Sequence, residues 1–179
     1  MELVAEGIRY ASKEDPRRAA KVYREAIALR PDEHEAYFNL GNALGRSGHY
    51  VEAAQRFLEA KERYPVGSKK WAEATAMAYF MLVQEACAEV AKPEWWNDEE
   101  LKALSASVVR AAPDEVQTNQ MRAVVLGGDD AWEAGPRSAA ELREAATHFD
   151  RAAALHPAPA AKAEFAEDAA WCRSMAGAM

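Results

Sequence analysis

Between Glu35 and Pro65 the large apolar residues Tyr37, Leu40 and Leu44 recur at steps of three and four. Ala53, Phe57 and Ala60 then follow at similar steps. That spacing places each set on one face of a helix and predicts two amphipathic helices across the stretch. Three glycines, Gly41, Gly45 and Gly48, fall within eight residues of it. Glycine inside a helix costs about 1 kcal/mol against alanine, so it marks a close approach or a turn. Gly48 is placed to end the first helix in a left-handed conformation. Gly41 and Ala53 mark where the two helices touch, because a larger side chain there would push the axes apart. Gly45 is not required by this pattern and reads either as a thinned helix wall for a ligand or as simple tolerance near a helix end.

The spacing recurs. Gly7, Tyr10, Ala19, Tyr23, Ala26 and Pro31 stand 34 residues before Gly41, Leu44, Ala53, Phe57, Ala60 and Pro65. Six matches at one offset resemble the tetratricopeptide repeat, a helix-turn-helix unit of that length. Trp71 continues the aromatic slot of Tyr37, but the next terminal prolines, Pro113 and Pro157, arrive after intervals of 48 and 44 residues. Ala145, Phe149, Ala152 and Pro157 still keep the spacing of Ala53, Phe57, Ala60 and Pro65. Two repeats are therefore regular and two carry insertions.

The resemblance implies an all-α fold, a right-handed superhelical solenoid of four hairpins forming a single domain. The repeats run over 1–31, 32–67, 68–113 and 114–157, with a capping helix over 158–179 and nine helices in all. Such an atypical last element keeps the final apolar face from water. Candidate helix starts support the division: Asp32-x-x-Glu35, Asp114-x-x-Gln117, Ser138-x-x-Glu141 and Asn97-x-x-Glu100 read as capping boxes or variants. Trp96 and Leu101 are placed as a staple around Asn97. The third repeat's first helix is expected to run long, from Ser68 to Ala91, and the fourth repeat's insertion is the loop from Gly127 to Arg137.

Composition narrows the function classes. The 179 residues hold 22 basic and 29 acidic side chains, a net charge of −7, and residues 71–179 carry 9 basic against 18 acidic. With no basic stripe, nucleic acid and anionic membrane are not expected partners. Cys87 and Cys172 lie far apart, which fits a reduced, cytoplasmic compartment and gives neither a disulfide framework nor a zinc site. The charged start of the chain is not expected to act as an apolar leader, and no apolar run approaches the ~20 residues of a membrane span.

In the family, the first helices of successive repeats line a concave groove that takes peptides or partner helices. The resemblance therefore implies a protein-binding scaffold or adaptor. Its groove-facing register falls one residue after the aromatic slot: Val4 and Ile8; Phe38, Asn42 and Arg46; Ala72, Ala76, Tyr79 and Phe80; Gln120 and Val124; Glu164 and Asp168. Phe38, Tyr79 and Phe80 are candidate anchors, Asn42 and Gln120 candidate partners for a peptide backbone, and Arg46 a candidate carboxylate holder. Core packing explains the aromatics equally well. The lysine-asparagine clamp that one subgroup uses for chaperone tails is absent: Asn42 matches one of its asparagines, but Phe38, Val4, Ile8, Ala72 and Ala76 occupy its other positions.

Trp95, Trp96 and Trp132 fall in the two insertions, which should be neighbours. Either they form an extension that offers Trp95 and Trp132 to a partner, or they only cover the end of the long helix. The alternative to a peptide receptor is a structural subunit that self-assembles through solenoid ends or these insertions. No enzyme is expected: His34, His49, His148 and His156 make no metal-ligand pair, and nucleophile elbows, phosphate loops and dinucleotide fingerprints are missing. No cofactor or metal is expected either.

Overall fold

The computed structural model describes residues 2–179, and among them every regular element is helical. In chain order these are α1 (Glu2–Ser12), α2 (Pro16–Leu29), α3 (His34–Arg46), α4 (Tyr50–Arg63), α5 (Lys69–Leu82), a short 3₁₀ turn (Glu85–Cys87), α6 (Asp98–Ala111), α7 (Val116–Gly127), α8 (Ala139–Leu155) and α9 (Pro159–Gly177). The nine α-helices agree with the number read from the sequence. They divide into two compact units, 1–91 and 92–179.

In the first unit each helix packs on its neighbour in sequence, α1 on α2, α2 on α3, α3 on α4 and α4 on α5. Its core is small and alanine-rich: Ala19, Ala36, Ala53 and Ala60 are fully enclosed beside Tyr23, Leu40, Leu44 and Phe57. Small side chains let the axes approach, and the aromatic rings fill the space between. The contact glycine differs in its partner from the sequence expectation. A Cβ on Gly41 would lie 2.9 Å from the Phe57 ring, and one on Gly7 would lie 2.4 Å from the Tyr23 ring. Each glycine thus faces the large aromatic of its own hairpin, sixteen residues on. Gly45 is also a contact position, with Met81 Sδ 3.3 Å from where its Cβ would stand. Gly48, at φ +79°, turns the chain out of α3 as expected.

Three helix ends depart from the sequence reading. The long helix to Ala91 does not form, since α5 stops at Leu82. Gln84 donates its side-chain amide to the freed carbonyl of Phe80, and the chain then turns so that Cys87 is fully buried, with the 3₁₀ turn against α4. Asp32 and Asp114 are not caps either. The helices begin after Glu33 and Glu115, and neither residue makes a side-chain cap bond. The aromatic-slot position supplies the polar contact instead: Tyr37 Oη donates to Pro31 O (3.0 Å), and Asn119 Nδ2 donates to Pro113 O (2.7 Å). Ser138 and Asn97 do cap, and Ser138 with Glu141 forms a complete capping box.

In the second unit α6 packs on α7, α7 on α8 and α8 on α9. Ala123, Ala145, Ala152 and Ala169 are fully enclosed beside Leu126, Phe149, Phe165 and Cys172. The two helices expected to pair in the third repeat, α5 and α6, fall in different units.

Candidate functional site

In the first unit a cleft of about 430 Å³ opens between α1 and α3, beside the start of α2. Its floor is apolar, from Ile8, Ala11, Pro16, Ala43 and the enclosed Tyr23, and its rim carries Ser12, Asn39, Asn42 and Arg46. Helical steps explain the rim, because residues 39, 42 and 46 lie along one face of α3. Arg46 has one long contact, 3.5 Å from Nη1 to Ala11 O, and no carboxylate partner among the described residues. The side chains of Asn39 and Asn42 make no hydrogen bond among the described residues. Three polar side chains with unused bonding capacity therefore border an apolar floor, an arrangement suited to a backbone amide and a carboxylate.

The expected groove residues separate into two groups. Ile8, Asn42 and Arg46 come together at this cleft. Asn39 was missed, although its place one helical step before Asn42 was a signal available in the sequence. Phe38 is half-buried on another part of α3, edge-on to Phe57 at 5.4 Å and with Lys70 Nζ 5.7 Å above its ring. Val4 is buried, and Ala72, Ala76 and Tyr79 are fully enclosed, so they are packing residues. Phe80 is half-buried and stacks edge-on against Tyr79 at 5.2 Å.

In the second unit Gln120 is half-buried on α7, one residue after the enclosed Asn119. The insertions meet as expected. Trp96 packs between Trp95 (5.6 Å) and Trp132 (6.3 Å), and its Nε1 donates to Ala131 O (3.1 Å). Trp132 is buried and donates Nε1 to Asp98 Oδ1 (3.2 Å), while Trp95 keeps part of its surface. Arg137 clasps the same carboxylate through both terminal nitrogens, at 2.8 and 2.6 Å. Lys102 bridges Asp98 (3.0 Å) and Glu141 (2.7 Å). The Arg137 hydrogen bonds, seconded by Lys102 and Trp132, hold Asp98 well below the usual carboxylate range, and Lys102 with the Ser138 cap draws Glu141 down to about 2. The network pins the start of α6 to the loop before α8. Its charged groups are engaged with one another, which suits a structural clasp better than acid-base chemistry.

No cluster of metal-ligating side chains occurs among the described residues, and none of their helices is long and apolar enough to cross a membrane. Residues 4–68 match the tetratricopeptide repeat family model. That match spans the hairpins α1–α2 and α3–α4. No curated protein matches it. Among solved structures it is similar to a PilF from Pseudomonas aeruginosa (16% identity, 98% of this chain and 72% of that one, TM-score 0.62). It is similar also to residues 41-end of MamA from Desulfovibrio magneticus RS-1 (15%, 97% and 90%, TM-score 0.60). A third is YrrB, described as a TPR protein with an unusual peptide-binding site (19%, 97% and 82%, TM-score 0.57). At these identities the likeness is one of fold.

The repeat frame makes sense of the first four helices. The tetratricopeptide hairpins α1–α2 and α3–α4 carry the matched segment, and their leading helices supply the cleft. A scaffold of such repeats is in general character a protein-interaction module. Asn119 stands six residues after Pro113, as Tyr37 stands after Pro31 and Trp71 after Pro65, so a carboxamide takes the corresponding place in the second unit.

Proposed function

We propose that the protein is an interaction module whose α1/α3 cleft takes an extended peptide segment of a partner protein. The peptide lays an apolar side chain on Ile8 and Ala11, meets Asn39 and Asn42 with its backbone, and gives Arg46 a carboxylate. The observation that carries this reading is the set of unused polar groups, Asn39, Asn42 and Arg46, aligned over an apolar floor on the leading helices of two tetratricopeptide hairpins. Pre-formed donors of this kind favour an extended chain, because little ordering is needed on the receptor side. The function is non-enzymatic, with positioning of a partner as its outcome.

The test is selection from a phage-displayed library of random peptides on the immobilised full chain, followed by calorimetry of the selected peptides. Acid-containing sequences are expected, with R46A weakening them about ten- to a hundredfold, the worth of a charge-assisted hydrogen bond. Peptides that bind R46A and N42A as well as the original chain overturn the reading.

A further inference from the structure

The second unit has a smaller pocket, about 190 Å³, where the end of α7 meets α9. Val124, Gly127 and Gly128 form one side, Phe149 the back, and Asp168, Trp171 and Cys172 the other. Its walls are apolar or aromatic, and Asp168 is the one ionisable group of the lining that is charged at neutral pH. Cys172 is enclosed, and burial pushes its thiol up, so it stays neutral.

Asp168 differs from the carboxylates that tie this unit's helices together. Asp98, Asp114, Asp150, Glu141 and Glu144 each pair with an arginine or lysine. Asp168 has no hydrogen bond and no ion pair among the described residues. Burial, and after it Glu164 and Glu167 on the same helix, also without cations, push its carboxyl up from the ordinary value of 3.8. Trp171, one helical step further on, is 54% exposed and turns an aromatic wall to the same pocket. The exposed ring and the carboxylate without a cation give the pocket one apolar wall and one anionic wall.

We infer that the α7/α9 pocket receives a lysine or arginine side chain of a protein partner, with the charge at Asp168 and the aliphatic stem against Trp171 and Val124. Charge selects this occupant. An anionic group would meet the Asp168 carboxylate, with Glu164 and Glu167 on the same helix adding repulsion, and a purely apolar one would strip water from Asp168 without giving it a partner. A basic side chain satisfies both halves of the pocket, since its head pairs with the carboxylate and the indole face while its stem covers apolar surface. The surrounding unit, with 9 basic and 15 acidic residues over 92–179, draws such a partner in. The inference rests on the interaction-module reading but not on the α1/α3 cleft.

The test uses the ¹⁵N-labelled full chain and capped five-residue peptides carrying arginine, lysine, norleucine or glutamate at the centre, with the Trp171 indole signal assigned from W171F. Arginine and lysine peptides are expected to shift that signal saturably, norleucine at least tenfold more weakly and glutamate not at all. D168N, an exposed substitution checked by its melting curve, should bring the arginine peptide down to the norleucine level. Absence of saturation with arginine, equal response to norleucine, or an unchanged D168N overturns the inference. So does a concentration-dependent dimer abolished by W171A, which assigns the face to a second copy. Trp171 reports the second unit and Arg46 the first, so failure of this inference is read separately from failure of the cleft.

Discussion

Asn119 Oδ1 faces His148 Nδ1 at 2.9 Å. The carboxamide has no freedom to turn, because its nitrogen already donates to Pro113 O and Glu115 O. The oxygen must therefore accept, and His148 must carry its proton on Nδ1, leaving Nε2 toward Glu144 at 3.9 Å. Burial pushes the imidazole below its ordinary 6.5, opposed by Glu144 and aided by Arg122 and Arg151. The sign follows from linkage. The unfolded chain binds the proton more readily than the folded one, so this contribution is fully present above about pH 6.5 and is lost as pH falls below it. Thermal melts between pH 7.5 and 5.5 should show a declining melting temperature, and H148Q should flatten that decline. An equally steep decline in H148Q would remove His148 as its cause.

The two glycine-to-aromatic contacts give a graded prediction. A methyl group on Gly41 meets the Phe57 ring at 2.9 Å, and one on Gly7 meets the Tyr23 ring at 2.4 Å. Both rings are enclosed, at 0% and 2% exposure, so they cannot swing into solvent. Overpacking costs about 1–3 kcal/mol, and the better helix propensity of alanine returns about 1 of it. G7A and G41A should both lower the urea midpoint, G7A more. Stabilisation by either substitution would show that the hairpins relax apart without cost.

How much of this was legible in the sequence depends on whether one position has one role. The first two hairpins were readable because Gly7, Tyr23, Gly41 and Phe57 each make a single kind of contact that fixes their spacing. α5 was misread because it is enclosed on more than one face: Trp71, Ala72, Ala76 and Tyr79 are all buried, so a register that separates core from groove does not apply to it. Its early end at Leu82 depends on burying Cys87 against α4, a tertiary contact that no local signal announces. The role of Asn119 was hidden for a related reason. A carboxamide in an aromatic slot breaks the apolar pattern, and only its carbonyl and imidazole partners reveal that it belongs there.

Arg137 and Asp98 give a prediction at the other end of the pH scale. Their paired contact is largely shielded from water, with side chains 8% and 21% exposed. Replacing Asp98 by asparagine removes the charge that Arg137 and Lys102 both contact, and should cost about 2 kcal/mol at pH 7. Asp98 titrates far below its unfolded 3.8, so the stability it contributes is present above that value and is lost as pH falls toward the folded one. The gap between the original chain and D98N should therefore close below about pH 3.8. A gap that persists unchanged in acid would mean that asparagine disrupts packing rather than charge.

Of the three tryptophans of the insertions, Trp96 and Trp132 hold structure and Trp95 keeps exposed surface. Trp132 is buried, edge-on to Trp96 at 6.3 Å, and donates to Asp98, so its ring is part of the clasp between α6 and the loop before α8. Truncating such a ring typically costs about 3–5 kcal/mol, enough to unfold much of a small unit. Trp95 is half-buried beside Trp96 at 5.6 Å, and its loss should cost less than that of the buried Trp132. W132A should thus lower the melting temperature sharply and W95A less, by differential scanning calorimetry. If W95A proves as damaging as W132A, all three rings form a single closed cluster, and the insertions offer no tryptophan surface to a partner.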